Sequence, residues 1–72
     1  MTHTQMLEEK IKQSGKKKKF LAEKVGLSAA GFRNCCNNRA EFTSSQVKIL
    51  CRELDITSLK EMQAIFFAED VA

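Results

Sequence analysis

Apolar residues recur in this sequence three and four positions apart, in several short runs. The run is clearest between residues 47 and 54, where they stand at positions i, i+3, i+4 and i+7. These residues are Val47, Leu50, Cys51 and Leu54. Residues with that spacing lie on one face of an α-helix. No alternation of apolar and polar residues, which would indicate a β-strand, lasts for more than a few positions. The spacing therefore predicts an all-α fold.

The helix starts and ends are predicted from the residues that flank each run. Three starts have the pattern of a capping box, in which Ser or Thr stands three positions before Gln or Glu. They are Thr2 with Gln5, Thr43 with Gln46, and Ser58 with Glu61. Ser28 is the predicted cap of a further helix, and one more begins at about Lys17. Helix ends are predicted at Gly15, Gly26 and Asn37-Asn38, because these residues tolerate a left-handed backbone. The result is five helices with short connections in one domain, residues 1–72.

The same spacing predicts which residues face the core. They are Leu7, Ile11, Leu21, Val25, Phe32, Cys35, Val47, Leu50, Cys51, Leu54, Leu59, Met62, Ile65 and Phe66. Cys36 is expected to face outward, since it directly follows an inward-facing cysteine. Four apolar residues do not all fit these inward faces, namely Phe20, Phe42, Ile49 and Phe67. The sequence leaves open whether they cluster into an interface.

Positive charge is concentrated in the first half of the chain. The net charge is +3, and residues 1–39 contain nine Lys or Arg against three Glu, which gives +6. Residues 40–72 contain three basic against six acidic residues, which gives −3. A basic half indicates a polyanionic partner, and the alternative is a merely solvated surface.

Several classes of function are disfavoured by the composition. We expect no metal site, because the three cysteines form no C-x-x-C pair and the one histidine, His3, is far from them in sequence. No nucleophile and base share a helical face, and no glycine-rich phosphate loop is present, so we expect no enzyme, no cofactor and no small-molecule substrate. No secretory signal and no run of roughly 20 apolar residues occurs. We therefore expect a cytoplasmic protein without a membrane partner.

The segment Leu21-Ala22-x-x-x-Gly26-Leu27-Ser28, with Phe32 four residues on, resembles the helix-turn-helix of the Cro and cI type of phage repressor. The likeness continues at Asn37-Asn38-Arg39, where the family usually has Asn-Gly-basic. It also includes Leu50-Cys51-x-x-Leu54-Asp55-Ile56-Thr57, where the family has Leu-Ala-x-x-Leu-Gly-Val-Ser. The resemblance implies a compact five-helix fold of the lambda-repressor type, with the helix-turn-helix at helices 2 and 3, over about residues 17–38.

The resemblance implies a small regulator of transcription in the switch between lysogenic and lytic growth of a temperate phage or prophage, in the cytoplasm of its bacterial host. In the first hypothesis the chain binds double-stranded operator DNA, and a homodimer places two recognition helices about 34 Å apart. The base-reading candidates are Ala29, Ala30, Arg33 and Asn34. The phosphate-contact candidates are Lys17, Lys18, Lys19, Ser28, Asn38 and Arg39.

The second hypothesis is an anti-repressor, or modulator of repression, that binds the DNA-binding domain of a partner repressor and masks it from DNA. Its motivation is the first turn of helix 3, where related repressors usually carry Ser, Thr, Gln or Arg. Ala29 and Ala30 stand there, and alanine can touch a thymine methyl group but cannot hydrogen-bond a base. The partner-interface candidates are Ala29, Ala30, Arg33, Cys36 and Asn37. The two hypotheses coexist if the pair forms a heterodimer with its own DNA specificity.

Overall fold

The computed structural model describes residues 1–69 and contains five α-helices in that range. They are α1 (Thr4–Ser14), α2 (Lys18–Lys24), α3 (Ala29–Cys36), α4 (Ser44–Glu53) and α5 (Leu59–Phe66). No β-strand occurs within residues 1–69, and the predicted all-α, five-helix fold is confirmed. None of the helices is long and apolar enough to span a bilayer.

Side-chain caps begin α3, α4 and α5, as the sequence predicts. Ser28 Oγ accepts a hydrogen bond from the Gly31 N–H at 3.0 Å. Thr43 and Gln46 form a reciprocal capping box, with hydrogen bonds of 3.2 and 2.9 Å. Ser58 Oγ accepts from the N–H of residue 61 at 3.3 Å. Each cap satisfies backbone donors that the first turn of a helix leaves unpaired.

The predicted capping box at Thr2 and Gln5 is wrong. The N-cap of α1 is His3, whose Nδ1 accepts a hydrogen bond from the Met6 N–H at 3.3 Å. Thr2 is buried, and its backbone N–H and C=O are both bonded to the side chain of Asn38, at 2.6 and 2.7 Å. Tertiary contacts of the first residues thus displace the cap by one position.

Left-handed residues end three of the helices where the sequence predicts ends. Gly15 has φ +71°, Gly26 has φ +75° and Asn38 has φ +64°. Asp55, just after α4, is also left-handed, with φ +57°. It is the least suited of the four to that conformation. Glycine has no side chain to strain, and the side chain of Asn38 forms hydrogen bonds that offset the strain, whereas within residues 1–69 no such bond is seen for Asp55.

Replacing Asp55 by glycine is expected to raise the free energy of unfolding by about 0.5–1 kcal/mol, because the relief of left-handed strain exceeds the greater entropy of glycine in the unfolded chain. Urea unfolding followed by far-UV circular dichroism measures this, since the chain has neither tryptophan nor tyrosine. Asp55→Ala is the control, because it removes the carboxylate and keeps the strain. Equal stabilisation by both variants would attribute the effect to the charge instead.

The core is built from side chains of all five helices, and most of the predicted inward-facing residues lie in it. Two assignments are wrong. Leu59, the first residue of α5, is 67% exposed, because it lies in the first turn and lines an open groove between α4 and α5 instead of the core. Cys36 is only 3% exposed. The start of α1 covers it, since Thr4 Oγ1 donates a hydrogen bond of 2.7 Å to the Cys36 carbonyl.

The four apolar residues left over in the sequence do not form one cluster. Phe42 packs edge to face against both Phe32 and Phe66, with ring centroids 5.8 and 5.9 Å apart, so it belongs to the core. Ile49 is half-buried against the same core. The other two, Phe20 and Phe67, are exposed at separate places on the surface.

Candidate partner and nucleic-acid interface

The turn between α2 and α3 consists of residues 25–28 and is held on both sides. Gly26 supplies the left-handed backbone, and the Leu27 N–H donates a hydrogen bond of 2.9 Å to the Ala22 carbonyl. Gln46 Nε2 of α4 donates to the Val25 carbonyl at 3.2 Å. The most extensive contact between two helices of the fold is the one between α2 and α3. These bonds fix the orientation of α3 on its scaffold.

One side of α3 is exposed from its first turn to its end. Ala29, Ala30, Arg33 and Asn37 are exposed and Asn34 is half-buried, as expected for candidates on the outer side. Phe32, Cys35 and Cys36 form the buried side. Arg33 is the only long side chain on the exposed side, and within residues 1–69 it makes no salt bridge.

A groove with a volume of about 370 Å³ lies between α1, α2 and α3. Its floor is apolar and consists of Ala22, Leu27, Phe32 and Cys36. Its rim carries charges of both signs, from Glu8, Lys18, Lys19, Glu23 and Arg33. Ala29 lies beside the floor, so the groove opens onto the first turn of α3. Sequence reasoning missed the two glutamates. Glu23 belongs to α2 and lies on its groove side, whereas Glu8 comes to this place only because α1 packs beside α2 and α3.

Two of the four consecutive lysines, Lys16 and Lys18, form ion pairs within the fold, and within residues 1–69 the other two do not. Lys16 Nζ donates to the Glu53 carbonyl at 2.7 Å and to its Oε1 at 2.9 Å, so it caps the end of α4. This hydrogen bond holds the pKa of the Glu53 carboxyl below its ordinary value. Lys18 Nζ lies 2.7 Å from Glu8 Oε2, at the rim of the groove. Lys17 and Lys19 are exposed and make no salt bridge with residues 1–69.

The other predicted phosphate contacts also differ in what they can do. Asn38 is engaged within the fold, because its amide bonds both backbone groups of Thr2. Ser28 is exposed and accepts a capping bond, which leaves its hydroxyl hydrogen free to donate. Arg39 is exposed. The cations that face solvent without a salt bridge to residues 1–69 at this end of the chain therefore include Lys17, Lys19, Arg33 and Arg39.

Cys36 is not the outward-facing interface residue that the sequence predicted, because it lies at the floor of the groove. Burial, together with the nearby Glu8 carboxylate, raises the pKa of its thiol to about 12. Burial also raises the pKa of Cys35 and of Cys51. Neutral thiols are poor nucleophiles and metal ligands. In the part of the chain that the structure describes, no three His, Cys, Asp or Glu side chains are grouped to hold a metal ion.

Comparisons with protein-family models, with curated proteins and with solved structures found no match to this chain.

The surface that distinguishes between the possible functions is the one formed by the exposed sides of α2 and α3. We call it the α2–α3 face and define it by six exposed residues, Lys17, Lys19, Ala29, Ala30, Arg33 and Asn37. It adjoins the groove described above.

Proposed function

We propose that this chain is an anti-repressor, which binds the helix-turn-helix domain of a partner repressor through the α2–α3 face and masks that domain from its operator. The setting that the family resemblance implies is a temperate phage or prophage, in the cytoplasm of its bacterial host. The observation that carries the proposal is the groove with an apolar floor that opens beside Ala29, the first of two exposed alanines at the start of α3.

Short side chains at the start of α3 favour contact with another helix. Because Ala29 and Ala30 project little, a second helix can approach the α3 backbone closely there. The groove next to Ala29 can receive an apolar side chain of that helix, and removing this apolar surface from water favours the association. The same two alanines offer no hydrogen bond to a base edge, so the position that usually reads DNA contributes little to sequence specificity.

The charges of the rim also favour a protein partner. Glu23 places a carboxylate beside the groove, where it would repel the phosphates of DNA. Lys18 is already paired with Glu8, so part of its positive charge is neutralised. A rim with both signs complements a protein surface, which carries both signs, better than it complements a uniform polyanion.

Direct binding of operator DNA is the second candidate, and the unpaired cations favour it. Lys17, Lys19 and Arg39 are exposed and are suited to phosphate contacts. Arg33 can form a bidentate pair with guanine, and the half-buried Asn34 is placed next to it. Under this function the chain acts as a Cro-like homodimer. A heterodimer with the partner repressor would combine both candidates.

Arg33→Glu is expected to weaken binding of the cognate repressor at least ~10-fold, because an exposed arginine beside an apolar groove is a typical hot-spot residue. Band-shift assays with operator DNA, the repressor and increasing amounts of the chain measure this. The wild-type chain is expected to release the repressor from its operator at a one-to-one ratio and to give no sequence-specific shift alone. Lys60→Glu is the matched control, since Lys60 is exposed on α5, away from the groove.

Glu23→Gln separates the two candidates. Removing this carboxylate is expected to strengthen the binding of DNA if DNA is the ligand, because one repulsion of phosphate is lost. If a protein is the ligand, the affinity for the repressor stays the same or falls. Sequence-specific shifts by the chain alone that weaken steeply with salt and strengthen in Glu23→Gln would contradict the anti-repressor proposal.

A further inference from the structure

Phe20 is an exposed aromatic ring in the middle of a group of lysines. The side chain is 40% exposed and lies outside the core. A shallow depression of about 370 Å³ lies beside it, and the charged residues of its lining are Lys16, Lys17, Lys19 and Glu23. A single exposed phenylalanine needs no explanation by itself. Here, however, a flat apolar face and several positive charges are offered to a ligand at the same place.

Two ammonium groups lie close to the ring. Lys24 Nζ is 5.4 Å from the ring centroid and Lys16 Nζ is 5.9 Å from it, and both are within the roughly 6 Å limit of a cation–π contact. Lys16 is fixed, because it also donates two hydrogen bonds to Glu53. Lys24 is exposed, and within residues 1–69 it makes no salt bridge. The Lys24 ammonium can therefore move to an anion and leave its place at the ring to a planar group.

Positive charge lies on both sides of the ring along the chain. Lys17 and Lys19 stand before it, exposed and without a salt bridge to residues 1–69. Lys24 follows one helical turn later, ~6 Å along the axis of α2. Glu23 is the one carboxylate in the lining of the depression, so the cations outnumber it. A ligand with a negative charge on each of its units meets cations before and after the ring.

We propose that this surface, which consists of Phe20 with Lys16, Lys17, Lys19 and Lys24 and which we call the Phe20 surface, binds single-stranded nucleic acid. One base stacks on the ring in place of the Lys24 ammonium, and the adjacent phosphates contact the lysines. Proteins bind single strands by combining positive charge with an aromatic ring, because every base has a flat face. In a duplex the bases are stacked on one another and do not reach such a ring.

Two features favour a base over other partners that carry negative charge. The depression is shallow, which suits a planar base better than an inserted aliphatic side chain of an acidic protein segment. Among the described residues of its lining, Phe20 is the only apolar one. Binding to an anionic membrane requires a longer apolar face, with several residues that enter the lipid.

Binding of a single strand is independent of the proposed function. Phe20, Lys16 and Lys24 belong neither to the α2–α3 face nor to the lining of its groove. Phe20→Ala is therefore expected to release a repressor from its operator as the wild type does. Arg33→Glu, in turn, is expected to keep the contribution of Phe20 to the binding of a single strand. The two proposals can thus fail separately.

Phe20→Trp makes stacking visible, because the chain has no tryptophan of its own. A single-stranded oligodeoxythymidylate about eight nucleotides long is expected to quench the fluorescence of this variant. An abasic chain with the same number of phosphates is the matched ligand, and it is expected to bind at least ~5-fold more weakly and without quenching. Equal binding of the two ligands overturns the proposal. An oligouridylate of the same length shows whether RNA or DNA binds more tightly.

Fluorescence anisotropy of the labelled oligonucleotide at about 50 mM salt measures the affinity, and a dissociation constant on the order of 100 μM is expected. Phe20→Ala is expected to weaken binding at least ~5-fold, and Phe20→Leu also weakens it, because leucine is apolar but has no flat face. Lys24→Gln is expected to lower the dependence on salt by about one phosphate contact. Phe67→Ala is the matched control, since Phe67 is 52% exposed and lies outside the Phe20 surface.

Far-UV circular dichroism is expected to show all these variants folded, because the residues changed are exposed. Unchanged affinity in a folded Phe20→Ala variant overturns the proposal, and so does tighter binding of a duplex of the same length. Glutamate-rich peptides of equal charge and phosphatidylserine vesicles are the remaining ligands. If either binds as tightly as the oligonucleotide and depends equally on Phe20, the surface belongs to a protein or a membrane instead.

Discussion

Replacing Phe32 by alanine is expected to leave most of the chain unfolded at room temperature. Phe32 is 1% exposed and is the largest of the fully buried side chains. Truncation of a buried phenylalanine costs about 3–5 kcal/mol, because apolar burial is lost and a cavity remains. The edge-to-face contact with Phe42 contributes about 1 kcal/mol more. The total stability of small domains begins at about 5 kcal/mol, so a loss of this size nearly removes it.

Urea unfolding followed by far-UV circular dichroism measures the loss. Phe32→Leu is expected to stay folded with a smaller loss, about 1.5 kcal/mol, because leucine fills much of the space. Phe20→Ala is the matched control, since it removes the same atoms from a partly exposed position outside the core and is expected to cost no more than about 1 kcal/mol. A similar loss from Phe32→Ala and Phe20→Ala would mean that the core is not where the structure has it.

The helices could be predicted from the sequence because their ends are decided by neighbouring residues. The capping box of Thr43 and Gln46 involves residues three apart, and so does the bond between Ser28 and Gly31. The left-handed ends at Gly15 and Gly26 depend on the residue itself. Interactions of this kind need no knowledge of the fold. This is why the number of helices and their approximate bounds agree with the prediction.

The errors are all at positions whose burial or bonding depends on distant parts of the chain. Cys36 follows an inward-facing residue of α3, and only the packing of α1 over the end of α3 buries it. Thr2 has the spacing of a cap, but its backbone is bonded to Asn38, 36 residues away. Leu59 has the spacing of a core residue but lies at the uncovered end of α5. Helical periodicity gives the face of a helix and does not give what covers that face.

In the candidate site too, features set by neighbouring residues could be predicted and features set by distant residues could not. Arg33 and the two alanines could be placed on the exposed side of α3 from spacing alone. The run of lysines from Lys16 to Lys19 looks uniform in the sequence. In the structure Lys16 forms hydrogen bonds with Glu53 at the end of α4, 37 residues away, and Lys18 forms a salt bridge with Glu8 of α1. Long-range ion pairs of this kind decide which cations remain available to a ligand, and no local pattern predicts them.

Asn38→Ala is expected to lower the free energy of unfolding by about 2–4 kcal/mol. Two effects add. The variant removes two hydrogen bonds to the backbone of the buried Thr2, each with a net contribution of about 1 kcal/mol. It also forces alanine into the left-handed conformation at φ +64°, which costs about 1–2 kcal/mol. Asparagine suits this position on both counts, because it tolerates the backbone and its amide both donates and accepts.

Asn38→Gly separates the two effects, since glycine adopts the left-handed backbone without strain and lacks the amide. It is expected to cost about 1–2 kcal/mol, so the difference between the alanine and glycine variants gives the strain. Hydrogen exchange adds a local measurement. The His3 N–H, bonded to the Ile65 carbonyl at 2.6 Å, is expected to lose protection in both variants, because Asn38 holds the segment that pairs with α5. If Asn38→Gly were as stable as the wild type and His3 stayed protected, the pairing with α5 alone would hold the N-terminal segment in place.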